Sequence, residues 1–158
     1  MIRSLLLHLI AVMLIVQTVA WFRERSLLPA DTLAPMFYHR TLDHGWLSRD
    51  DLVGQPTVLY FFAPWCSVCK YSMPNLEALQ RDGWNLVAVA LSYQDLAEVQ
   101  DFADELGLSM PVVLGNDQLQ QDYQIRGFPT YYVLDDEGRV QRKSMGWSSR
   151  LGLELRAR

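Results

Sequence analysis

Ala63-Pro64-Trp65-Cys66-Ser67-Val68-Cys69-Lys70, set directly after Thr57-Val58-Leu59-Tyr60-Phe61-Phe62, is the stretch on which the fold turns. The run from Thr57 is continuous, β-branched and aromatic, which predicts a strand covered on both faces at the centre of a sheet. A helix is predicted over residues 66–80, with Leu76 and Leu79 on its inner side and Pro74 kinking it. Cys66 then stands at a helix N-terminus, where unpaired N–H groups and the helix dipole favour a thiolate. Cys69 lies one turn further in, near enough to attack a mixed disulfide on Cys66 and leave an internal disulfide. A bare C-x-x-C pair also fits a structural disulfide or half of a metal site, and both stay open on the motif alone. The chain has no second C-x-x-C and no H-x-x-x-H, and His39 and His44 fall in a polar hairpin region as expected surface residues.

Outward from the motif, a second buried strand is predicted at 85–91. Ser92 and Asp95 form an S-x-x-D cap, after which Leu96, Val99, Phe102 and Leu106 recur at helical spacing until Gly107 stops the helix. Residues 111–114 read as a short strand and 117–123 as a helical piece. Residues 131–135 read as a strand turning at Asp136-Glu137-Gly138-Arg139 into another at 140–145. Ahead of the core, short runs at 36–38 and 46–47 suit a small hairpin, and residues 50–54 one helical turn. The predicted order, β-α-β-α-β-α-β-β, makes an α/β domain with a mixed central sheet and helices on both faces.

Residues 4–22 are a separate segment, 19 residues of which 15 are apolar. As a helix they span roughly 28 Å, close to the hydrocarbon thickness of a bilayer, and Trp21-Phe22 followed by Arg23-Glu24-Arg25 closes the run as an interface would. Residues 1–25 are therefore expected to be one transmembrane helix, with a signal peptide cleaved near Thr18-Val19-Ala20 as the rival. Residues 26–35, with two prolines, read as a tether, and 36–158 as the folded domain. The net charge of −4, with 20% charged residues, argues against a nucleic-acid partner. Residues 139–158 hold six basic side chains and one acidic, read as a solvated terminal helix, with a patch that meets anionic lipid headgroups as the alternative.

With these parts in place the chain resembles a known family. Trp65-Cys66-Ser67-Val68-Cys69-Lys70, with Pro74 five residues after the second cysteine, is similar to the thioredoxin active-site helix. Tyr123-Gln124-Ile125-Arg126-Gly127-Phe128-Pro129-Thr130 is similar to the segment carrying that family's cis-proline, and Gly138 and Gly146 fall where it places glycines. Residues 34–37 and 52–56 resemble the N-terminal extension of the membrane-anchored TlpA/ResA branch, including DsbE-like proteins, so that the likeness covers roughly residues 34–148. It implies a thioredoxin-like fold and a cis bond at Pro129. It implies a client surface formed by Trp65, Phe128, Pro129 and Thr130, with Cys66 attacking and Cys69 resolving.

The departures are specific. Thioredoxins bury an aspartate where this chain has Tyr60, the ResA-like proteins place a glutamate where it has Ser72, and cytochrome c maturation members carry an acid where it has Thr130. Without an acid beside Cys69, either water or the Tyr60 hydroxyl assists, or the pair works at another rate and potential. A thiol peroxidase of this fold would carry threonine where Ala63 stands. A copper or assembly chaperone would need more than the scattered Met36, Met73, Met110 and Met145. The resemblance thus implies a monomeric, single-pass inner-membrane thiol–disulfide oxidoreductase facing the periplasm. It would reduce client disulfides with electrons from a membrane thiol donor and without metal or organic cofactor; the alternatives are a disulfide-donating oxidant of the same fold or a non-catalytic copper or assembly chaperone.

Overall fold

The computed structural model describes residues 2–147 and 152, without the side chains of residues 2–4 and 20–23. In chain order the elements are α1 (Ile2–Glu24), β1 (Tyr38–Arg40), β2 (Trp46–Ser48), a 3₁₀ turn (Asp50–Leu52), β3 (Thr57–Phe62), α2 (Ser67–Arg81), β4 (Asn85–Ala90), α3 (Leu96–Leu106), β5 (Val112–Leu114), α4 (Asp117–Asp122), β6 (Thr130–Leu134) and β7 (Val140–Met145). The main sheet runs β5-β4-β3-β6-β7, with β3, β4 and β5 parallel and β6 and β7 closing it antiparallel. β3 is the middle strand and all six of its residues are buried, as its unbroken apolar run requires.

Because successive side chains of a strand point to opposite faces, β3 feeds two cores. Val58, Tyr60 and Phe62 pack with Met73, Leu76 and Leu79 of α2 and Phe102 of α3. Leu59 and Phe61 pack on the other face with Leu27, Leu28, Phe37, Leu119, Tyr123 and Tyr132. Helices were expected on both faces, but the second is covered by the short α4 together with extended chain from the 26–37 region. That stretch does not hang free as a tether. Leu27, Leu28 and Ala34 are at most 5% exposed, the Asp31 N–H donates to the Val140 carbonyl (2.7 Å), and the Ala34 N–H to that of Gly138 (2.9 Å). Buried tyrosines hold it: the Tyr132 hydroxyl accepts from the Leu28 N–H (3.2 Å) and donates to the Tyr123 carbonyl, while the Tyr123 hydroxyl donates to the Pro35 carbonyl.

The other differences are local. β1 and β2 form the expected hairpin, which continues onto β5 through the Leu42 N–H and the Val112 carbonyl (2.9 Å). His39 is consequently half-buried, its pKa pulled below the usual histidine value by burial despite a hydrogen bond with the backbone of Leu114; His44 is exposed. The cap of α3 is Asp95 alone, which accepts from the Ala97 N–H, and Gly107 ends the helix in the left-handed region (φ 59°). Ser92, expected in that cap, sits in a left-handed turn (φ 52°) with another task described below. Residues 139–145 are turn and strand, and the basic stretch beyond Trp147 lies, Gly152 apart, outside the described residues.

Side chains of α1 are described for residues 5–19, every one of them exposed, and for Glu24, which is half-buried. Among the described residues no helix is long and apolar enough to cross a membrane; the apolar run 4–22 extends past the described side chains at both ends.

Candidate redox site

β3 delivers the chain to the C-terminal end of the parallel strands, Ala63 to Trp65 turn it, and α2 begins at Ser67 with Cys66 as its N-cap. The Cys69 N–H donates to Cys66 Sγ (3.1 Å), one of the donors that a helix start leaves without a helical partner. The two cysteines form a disulfide with Cα atoms 5.2 Å apart. Their exposure differs. Cys66 is 7% exposed, whereas Cys69 is fully enclosed.

Around Cys66 the surface is apolar: Trp65, Val68 and Tyr71 are 66%, 45% and 78% exposed. Trp65 is held by its indole N–H donating to the Ser92 carbonyl (2.8 Å) and by edge-on contact with the Phe128 ring (5.7 Å). Ser92 is thus a positioning residue that sequence reasoning assigned to a helix cap. Only its left-handed φ, visible in three dimensions, points its carbonyl at the indole. The Trp65–Phe128 contact brings in the second motif, where the Phe128–Pro129 bond is cis. Phe128 is half-buried, Pro129 is buried, and no hydrogen bond among the described residues engages the backbone of Phe128. Thr130, expected on the client surface, is fully buried and donates inward to the Gly127 carbonyl (2.8 Å), because β6 starts there and turns that side chain into the sheet. Arg126 is exposed.

Below Cys69 lies the position where relatives were expected to hold an acid. Tyr60 and Ser72, 12 positions apart, are hydrogen-bonded to each other there, and both are about 2% exposed. Ser72 Oγ also donates to the Cys69 carbonyl (3.1 Å), which commits its single proton, so that the Tyr60 hydroxyl is the donor between them. Burial pushes the Tyr60 pKa far above the ordinary tyrosine value. Tyr60 is a neutral donor at working pH, not a base. Tyr60→Phe should therefore cost about 1 kcal/mol of stability, or roughly 2–4 °C in Tm, and leave the rate and pH profile of thiol exchange within about twofold of the parent. Thermal unfolding and stopped-flow reduction of the full chain in detergent check this; a lost rate would make Tyr60 part of proton transfer.

Elsewhere on α2, the Glu77 carboxyl, 6% exposed, accepts from the Ser109 N–H (2.9 Å), the Ser109 hydroxyl (2.8 Å) and the Met110 N–H (3.5 Å). It fastens the helix that carries the cysteines to the loop before β5, and nothing in the local sequence marks it.

A model of the AhpC/TSA family matches residues 30–143. The thioredoxin-like protein YneN of Bacillus subtilis is 32% identical over 126 residues, 77% of this chain and 74% of that protein. Thiol-disulfide oxidoreductase ResA of Geobacillus thermodenitrificans is 28% identical over 127 residues, covering 77% and 72%. Among solved structures, a thiol:disulfide interchange protein of the thioredoxin family from Chlorobium tepidum superposes with a TM-score of 0.73 at 26% identity, covering 82% of this chain and 96% of that one.

Proposed function

The chain belongs to the AhpC/TSA family of thioredoxin-like proteins, and from that premise we propose that it is a membrane-anchored, extracytoplasmic thiol–disulfide oxidoreductase that reduces disulfides in client proteins. The observation that carries the reading is the unequal pair: Cys66 at a helix N-terminus with 7% of its surface still exposed, Cys69 fully enclosed one turn below. In the dithiol form the Cys66 thiolate attacks one sulfur of a client disulfide. The client S–S bond breaks, its leaving thiolate takes up a proton, and a mixed disulfide forms on Cys66. Cys69 then loses its proton and displaces the second client thiolate. The client gains two electrons and two protons, and the chain keeps the Cys66–Cys69 disulfide. A membrane dithiol donor would restore the reduced pair.

Trp65, Phe128 and Pro129 frame the client, and the free backbone of Phe128 suits pairing with an extended segment, a contact that reads main chain rather than sequence. Thr130 contributes through its place behind Pro129, its side chain being turned inward. Residues 1–25 serve as anchor, 26–35 as the packed connection and 36–158 as the catalytic domain of a monomer that binds no nucleic acid. Support for the anchor is physical. An isolated helix with exposed Leu5, Leu6, Leu7, Leu9 and Ile10 is unfavourable in water and favourable in lipid.

Direction is tested by the reduction potential of the Cys66–Cys69 pair in the full chain in detergent, equilibrated against glutathione or dithiothreitol buffers. A potential near about −270 mV is expected and marks a reductant, whereas one near about −120 mV marks a disulfide donor and overturns the direction.

A further inference from the structure

We infer that the catalytic face of this chain is its membrane-proximal face, and that the client disulfide it reduces is held by a membrane protein at the level of the lipid headgroups; this rests on the anchored oxidoreductase proposed above. The argument is the path of the chain between α1 and the sheet. At the end of α1, the Ser144 hydroxyl donates to Glu24 Oε1 (3.0 Å), and the Lys143 ammonium donates to the Leu27 carbonyl (3.1 Å). From there the chain runs along β7 the other way, reaching Val140 with Asp31 and Gly138 with Ala34. It therefore joins the domain at the Met145 end of β7 and descends to the opposite end.

The Met145 end is the redox end. Met145 pairs with Thr130, which pairs with Phe61 at the foot of the cysteine motif, and the Gly146 N–H donates to the Pro129 carbonyl (2.7 Å). Ser26, next but one after Glu24, lines a cleft of about 450 Å³ together with Arg126, Gly127, Phe128, Met145 and Gly146. Ser26 lies four positions after Phe22, the last of the apolar run, and even fully extended those four steps reach only about 14 Å. The Pro129 loop is thus held close to the bilayer surface, while the far end of the six-residue β3 stands about 17 Å further off. Exposed Arg25 and Arg126 on this side suit anionic headgroups. A folded soluble client is wider than the gap, its radius of gyration alone being about 13 Å for 100 residues. A cysteine pair already at the interface meets Cys66 without that obstruction. It accepts the two electrons as described, its disulfide opening to two thiols while Cys66 and Cys69 join.

The test compares the full chain with a variant carrying about 20 Gly and Ser residues between Arg25 and Ser26, a spacer of roughly 25 Å reach. Both are reduced and reconstituted in phosphatidylcholine–phosphatidylglycerol vesicles. Three disulfides are offered in single turnover: a small soluble aromatic disulfide, a peptide disulfide linked to a lipid headgroup, and a folded soluble protein with an exposed disulfide. The small disulfide should react equally with both chains, which establishes that the spacer leaves the pair intact. The lipid-linked disulfide should react with the parent chain, and the folded protein should react at least about tenfold faster with the spacer variant. Equal rates on the folded protein for the two chains overturn the proposal and leave the oxidoreductase standing. Failure of the parent to float with vesicles, or to react with the small disulfide, instead overturns the anchored oxidoreductase itself and the proposal with it.

Discussion

Cys66→Ser abolishes disulfide reduction by the full chain, a loss of about three orders of magnitude or more, because a serine hydroxyl does not ionise near neutral pH and cannot replace a thiolate. Cys69→Ser fails differently. Cys66 still attacks, but no second thiol displaces the client, so a covalent mixed disulfide accumulates. The asymmetry follows from burial and local geometry: Cys66 reaches the surface and its sulfur receives the Cys69 N–H at 3.1 Å, whereas Cys69 has no exposure. Intact-mass spectrometry after exposure to a peptide disulfide reads both variants, with an adduct on Cys69→Ser and none on Cys66→Ser. An adduct on Cys66→Ser alone would reverse the roles.

Glu77→Ala should cost about 3 kcal/mol of stability, or roughly 6–12 °C in Tm. Its carboxyl receives two N–H groups and one hydroxyl from Ser109 and Met110, and the loop before β5 has no other described hold of this kind on α2. Removing it leaves those donors to compete for water at a largely closed surface. Glu77→Gln should retain part of the loss, since the amide keeps an acceptor but turns a donor toward a donor. Reactivity with a small disulfide at 25 °C should stay within about twofold, because Glu77 lies 11 residues along the helix from Cys66, about 16 Å. An unchanged Tm would show that these bonds merely replace equally good ones to water.

The elements around the cysteines were legible because their signals are local. An unbroken apolar run can only be a buried strand or helix segment; six residues ended by Ala63-Pro64 favour the strand, and it is the central one. Periodic Val99 and Phe102 and the closing Gly107 marked α3 well, but its start was misplaced, since Ser92 and Asp95 are both good caps. Which of them caps depends on where the chain arrives from β4. The burial of the Thr130 side chain was hidden for a related reason: it stands next to Pro129 in sequence, but β6 begins there and turns it inward.

The acid missing below Cys69 was visible as two absences, Tyr60 and Ser72, but their meeting was not. Residues 12 apart on a strand and a helix touch only if the helix packs on that face of the sheet. The same holds for Ser92 under Trp65, 27 positions on, and Glu77 beside Ser109, 32 positions on.

By itself, then, the amino-acid sequence determined the α/β order, the helix start at Cys66, the spacing that lets the two cysteines pair and the apolar character of residues 4–22. Each depends on residue type and spacing within a turn or two of chain. Only the tertiary structure decided that the 26–37 stretch covers a face of the sheet, that a neutral Tyr60–Ser72 pair fills the space below Cys69, and that the chain enters the domain beside Pro129. Those are contacts between segments up to 120 positions apart. Their partners are chosen by which surfaces the packed sheet brings together, and no local pattern encodes that choice.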